Sequence, residues 1–156
     1  MSVPAIPDGY TSLTPFICVD GAAAAIAFYQ NVFGAEVIER MDGPDGTVAH
    51  AELDFGAGRL QLGDPQAAFQ IAAPAPGAAA THSIGFYCAD VDDVVARAEQ
   101  AGATIREPAQ TFVTGDRFAS ILDPFGQRWT VMTRVENITA QERERRVAEW
   151  AATAGG

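Results

Sequence analysis

The residues best equipped for chemistry in this 156-residue chain are two histidines and a carboxylate. His50 and Glu52 sit two apart in Thr47 to Phe55, a segment whose polar residues His50, Glu52 and Asp54 alternate with Ala49, Ala51, Leu53 and Phe55. Alternation of that kind puts the polar set on one strand face. His82 stands just ahead of a second strand-like run, and two imidazoles with one carboxylate would be enough for an open catalytic metal site or for acid-base work. Nucleophilic catalysis has less support, because neither Cys18 nor Cys88 has a histidine at an obvious spacing and no Gly-x-Ser-x-Gly turn occurs. The cysteines also lack metal-type spacing and read as small buried hydrophobes on apolar strands. Asp116-Arg117 reads as an ion pair or turn that steadies the loop from Pro108 to Thr114, with direct ligand contact as the alternative.

The elements that must position these groups occur twice. Thr14-Pro15-Phe16-Ile17-Cys18-Val19-Asp20-Gly21 opens an alanine-rich amphipathic stretch ending at Gly34-Ala35, and Ser83-Ile84-Gly85-Phe86-Tyr87-Cys88-Ala89-Asp90 opens another ending at Gly102-Ala103. Each reads as strand, helix, then further strands. The first copy gives a strand over Leu13 to Val19, a helix over Ala22 to Phe33 capped by Asp20 or Gly21, and strands over Glu36 to Met41, Thr47 to Phe55 and Arg59 to Leu62. The second gives a strand over Ser83 to Cys88, a helix over Val91 to Ala101, and strands over Thr104 to Glu107, Arg117 to Leu122 and Gln127 to Thr133. One domain over 1–156 is expected, with module one at about 12–63, a proline- and alanine-rich linker at about 64–81 and module two at about 82–134. A charged C-terminal helix at about 139–152 follows, opened by the capping-box pattern Thr139-Ala140-Gln141-Glu142 and anchored by Val147 and Trp150.

Composition narrows the function classes. A net charge of −10, from 20 acidic and 10 basic residues, opposes binding to a phosphate backbone, so no nucleic-acid partner is expected. No run of 18 apolar residues and no signal segment in Met1 to Tyr10 is apparent, so a cytoplasmic protein without membrane insertion is expected.

The strand-Asp-Gly-helix unit with Phe28-Tyr29 and Phe33-Gly34-Ala35, the Asp90-Val91-Asp92 helix start and Asp123-Pro124-Phe125-Gly126 resemble the glyoxalase, bleomycin-resistance and extradiol-dioxygenase superfamily, the vicinal oxygen chelate proteins. Pro7-Asp8-Gly9-Tyr10, Gly43-Pro44-Asp45-Gly46, His50-Ala51-Glu52, Gly115-Asp116-Arg117 and Gln127-Arg128-Trp129 look like its PhnB-like branch. The resemblance implies an α+β fold of two βαβββ modules whose curved sheets surround a cavity, in a homodimer. It also implies a divalent-metal site at four strand positions, which fall here on Thr14, Gln61, Ser83 and Thr130. None of these is a strong ligand, so no metal cofactor is expected.

Two functions are therefore carried forward. The first is a metal-free protein that binds a small molecule, sequestering a cationic or aromatic compound, with Thr14, Phe16, Arg59, Gln61, Ser83, Arg128, Thr130 and Met132 lining the cavity. The alternative is a lyase, isomerase or dioxygenase using zinc, nickel, iron or manganese on His50, Glu52 and His82, with His50 and Glu52 as catalytic groups. A protein-interaction role for the acidic surface is a third.

Overall fold

The computed structural model describes residues 3–154, so Met1 and Ser2 of the N-terminal stretch lie outside it. The chain folds as α+β and forms two compact units, residues 1–81 with 124–127, and residues 82–123 with 128–156. Each contains one curved, open four-stranded sheet built by a βαβββ module.

In the first unit β1 (Phe16–Cys18) leads into α1 (Ala22–Phe33), followed by β2 (Glu36–Asp42), β3 (Val48–Asp54) and β4 (Arg59–Gly63). The sheet order is β1-β4-β3-β2, with β1 parallel to β4 and the other pairs antiparallel. β1 is shorter than the sequence suggests, because Pro15 has no N–H to give a ladder; pairing begins at its carbonyl, which accepts from the Gln61 N–H at 2.8 Å. Helix α1 spans the predicted residues and buries Ala25, Ile26, Phe28, Tyr29 and Val32 on one face. Its end is set by Gly34 at φ 70°, where the N–H groups of Gly34 and Ala35 return to the carbonyls of Gln30 and Tyr29. A residue with a Cβ would be strained in that left-handed closure.

The core of this unit joins Val19, Tyr29, Val32, Leu53 and Leu62, all fully buried, to an aromatic cluster of Phe28, Tyr29, Phe33, Phe55 and Phe125. Burying each such side chain is worth about 1.5–3 kcal/mol. Gln127, only 2% exposed, donates from Nε2 to the Cys18 carbonyl at 2.9 Å and so satisfies a buried backbone group.

The second unit repeats the pattern with β5 (Ile84–Tyr87), α2 (Val91–Gln100), β6 (Thr104–Thr111), β7 (Asp116–Leu122) and β8 (Arg128–Arg134), ordered β5-β8-β7-β6. Its pairing reproduces the first: Phe16 stands opposite Gln61 in one sheet as Gly85 stands opposite Thr130 in the other. The backbone bonds that follow match as well, Val19 N–H to Gly63 O and Cys88 N–H to Met132 O. Strand β6 runs past Glu107, through Pro108, to Thr111, which is tolerated because it is an edge strand with a register shift between Glu107 and Gln110. The core here is Trp129, Ile121, Val131, Ala119, Val91, Val94 and Ala98. α3 (Ala140–Ala154) closes the described chain. Trp150 packs edge-on against Phe112 at 5.2 Å, although both expected anchors, Val147 and Trp150, keep more than a third of their surface exposed. Between the modules a short 3-10 turn, Ala67–Phe69, closed by an isolated antiparallel bridge between Gln66 and Ile71, breaks the irregular linker. No helix among the described residues is long and apolar enough to cross a membrane.

Candidate functional site

In the first unit, strand pairing gathers four of the named residues on one sheet face. β3 lies between β2 and β4, and Glu52 is paired with Gln61, which is itself paired with Phe16. Directly opposed residues share a face, so Phe16, Gln61 and Glu52 form a row across three strands, with His50 two residues along β3. The Gln61 amide donates to Glu52 Oε1 at 2.8 Å, and His50 Nε2 lies 3.3 Å from the same oxygen. The Phe16 and His50 rings stack with centroids 6.0 Å apart and planes 26° apart. Glu52 is only 8% exposed, a deep position for a carboxylate. Thr14 lies ahead of β1 and is half-buried.

Arg59 is on β4 but is already occupied. Its guanidinium carbon sits 4.1 Å from the centroid of the Tyr10 ring, and its Nε lies 3.6 Å from an Asp54 oxygen. A Cβ at Gly9 would meet the guanidinium, so the small residue beside Tyr10 leaves room for this stacking.

In the second unit Ser83 and Thr130 are brought together, their hydroxyls 2.8 Å apart. Thr130 is opposed by Ser120 of β7, which occupies the place of Glu52 in the repeat, as the pairs Glu52–Gln61 and Ser120–Thr130 show. The Ser120 hydroxyl is fully buried and has no hydrogen-bond partner among the described residues. Arg128 donates to Glu107 at 2.8 Å, and the Met132 methyl lies over Gly85, where a Cβ would come within 3.2 Å of it. His82 precedes β5 and is exposed. Among the described residues, no three His, Cys, Asp or Glu side chains are grouped so as to hold a metal ion.

Asp116 and Arg117 take part in ion pairs. Arg117 makes two bonds, of 2.6 and 2.7 Å, to the Asp92 carboxylate in the first turn of α2, and Asp116 accepts from Arg134 at 2.7 Å. The hydrogen bond from Arg117 holds the Asp92 carboxyl below its ordinary range. Cys18 and Cys88 are free thiols. Burial, and then the nearby Asp64 and Asp20 carboxylates, push the Cys18 thiol up, so it is a poor nucleophile.

Ser120 and Gln127 were not legible as site or support residues, since a serine in a β-strand and a glutamine after a turn carry no distinguishing pattern. The duplicated register was the only available signal, and it does lead from Glu52 to Ser120.

Curated relatives are similar over most of the chain. An uncharacterized protein of Mycobacterium bovis is 34% identical over 134 residues, 84% of this chain and 88% of the relative. One of Mycobacterium tuberculosis is 34% identical over 84% of this chain and 79% of its own length. Among solved structures, TioX from Micromonospora sp. ML1 has a TM-score of 0.63 at 23% identity, covering 80% of this chain and 99% of that one. A PhnB protein of Bacillus cereus has a TM-score of 0.62 at 19% identity, covering 79% and 99%. The fosfomycin resistance protein FosX of Listeria monocytogenes, solved with Mn(II) and sulfate, has 0.62 at 17%, covering 88% and 97%. At such identities these likenesses speak to the fold alone. The family model of the Glyoxalase/Bleomycin resistance protein/Dioxygenase superfamily matches residues 10–131, and with the paired βαβββ modules it establishes that the chain belongs to this superfamily.

Proposed function

We propose that this protein binds a small organic molecule without a metal ion, as a cytoplasmic homodimer similar to the PhnB-like branch. The observation that carries the reading is the donor set at the four positions where the superfamily resemblance would put ligands. Ser83 and Thr130 hydrogen-bond to each other, and the Gln61 amide is bound to Glu52. Thr14 adds a hydroxyl. Such neutral oxygen and amide groups fit a catalytic divalent ion poorly, because they do little to offset the cost of removing its water. In each unit they suit the few oriented polar contacts of an organic ligand, with Phe16 as apolar surface in the first and Met132 in the second. Arg59 and Arg128, engaged with Asp54 and Glu107, serve better as fixed rims than as free cations.

The test is metal content and thermal response. Protein purified without chelator is expected to carry no stoichiometric divalent ion, and zinc, nickel, iron(II) or manganese should leave its melting temperature unchanged, since an ion that does not bind the native state cannot stabilise it. The double variant Ser83→His with Thr130→Glu, which puts strong donors on adjoining side chains, should acquire a nickel-dependent rise. One divalent ion per chain in the unaltered protein, lost on substituting His50 or His82, would instead establish the metal-dependent lyase, isomerase or dioxygenase. The contact between His50 and Glu52 is the feature that favours that second reading. Sedimentation at micromolar concentration tests the dimer, and a monomer there would contradict it.

A further inference from the structure

Glu52 is a carboxylate with its charge only partly answered. Both of its neighbours approach the same atom, Oε1, and Oε2 accepts no hydrogen bond among the described residues. One neighbour, Gln61, is a neutral amide, and the other is a histidine. Of the arginines in the same sheet, Arg40 is bonded to Asp42 at 2.7 Å, and Arg59 faces Asp54 at 3.6 Å with its Nε making no hydrogen bond among the described residues. The residue opposite Glu52 on β2 is Glu39, a second acid. A carboxylate exposed by only 8% in such company is costly unless a cation or further donors reach it.

The surroundings specify what could reach it. Phe16 stands on the far side of Gln61 in the same row, and its ring stacks on His50, so a flat aromatic wall borders the carboxylate. Phe16 is still 36% exposed, which leaves ring surface available. An aromatic face attracts cations as well as flat rings. The net charge of −10 favours the approach of cations over that of neutral or anionic molecules.

We propose that Glu52 anchors the ligand of this protein, and that the ligand is a planar organic cation bearing N–H donors, of the amidinium, guanidinium or protonated amino-heterocycle class. An N–H of the cation donates to the open Oε2 while its flat body lies against Phe16 and His50. The inference rests on the metal-free ligand-binding reading and narrows it to one chemical class.

Benzamidine is the probe, with the neutral isostere benzamide and the anion benzoate as controls, each titrated by calorimetry into the full-length protein. Benzamidine should bind about tenfold or more tightly than benzamide, the margin expected of one charge-assisted hydrogen bond. Benzoate should not bind. Glu52→Gln should remove the preference for benzamidine, and Phe16→Ala should weaken benzamidine and benzamide alike. As a check that needs no variant to fold, benzamidine should shift backbone amide resonances of β3 and β4 around Glu52 and Gln61 in the unaltered protein. Equal affinity for benzamidine and benzamide, benzamidine shifts confined to other strands, or no benzamidine binding at millimolar concentration would each overturn the proposal. A stoichiometric divalent ion in the native protein would overturn the underlying reading instead, so the two failures are told apart.

Discussion

Asp64 stabilises the first module from a position that local sequence does not reveal. Of the two residues expected to cap α1, Gly21 rather than Asp20 stands at the N-cap, and it has no side chain to accept from the first N–H groups. The Asp64 carboxylate, just past β4, accepts from the N–H groups of Gly21 and Ala22 at 2.9 and 3.0 Å and from Val48 at 2.7 Å. It thus ties the helix start to β3 with a negative charge placed at the positive end of the helix. Burial by itself would raise its pKa, but the three backbone donors outweigh burial and hold it below its ordinary value of 3.8. The unfolded chain therefore binds the proton first. The contribution of Asp64 is complete above that ordinary value and is lost as pH falls through the lower folded value. Asp64→Asn should cost about 2–3 kcal/mol in urea unfolding near neutrality and should flatten the decline of stability in acid. An unchanged acid limb in the variant would show that the decline comes from other carboxylates.

At the scale of elements, helix limits are more legible in the sequence than strand limits. The ends of α1 and α2 follow from signals in the chain itself: Gly34 and Gly102 end them, and the Asp90 side chain accepts from the Asp93 N–H at 3.1 Å to start α2. Asp90→Ala should therefore cost about 1 kcal/mol, measurable by chemical denaturation. The C-terminal α3 also keeps its predicted start, where the Thr139 hydroxyl accepts from the Glu142 N–H at 3.1 Å. Among the described residues the Glu142 carboxylate does not complete a capping box but accepts from Arg145 and Arg146, and these bonds lower its pKa to about 2. Below that value, protonation of Glu142 removes the ion pairs, so helical circular dichroism from α3 should decline as pH falls from the ordinary 4.5 through about 2. High salt at neutral pH should weaken the same exposed pairs; a signal unaffected by either condition would show that they do not hold the helix. Strand limits were less legible, because bulges shift register without a local sequence mark. The shifts between Ile105 and Glu107 and between Glu107 and Gln110 accompany the run of β6 to Thr111, past its expected end at Glu107.

For the molecule as a whole, the acidic balance predicts an interaction that should fail. With a net charge of −10, the protein should pass through immobilised double-stranded DNA at physiological salt without retention; salt-sensitive retention would mean that a local basic surface overrides the total. By itself the sequence determined the α+β duplication, the helices, and the correspondence of Thr14 with Ser83 and of Gln61 with Thr130, because glycines, caps and alternating apolar residues act over a few positions and recur in both copies. Tertiary structure decided which polar groups meet: Asp64 with the start of α1, Gln61 and His50 with one oxygen of Glu52, and Gln127 with the Cys18 carbonyl. Those meetings depend on strand order and register across dozens of residues, and a buried polar group must take its partner from whatever that pairing brings within hydrogen-bond reach.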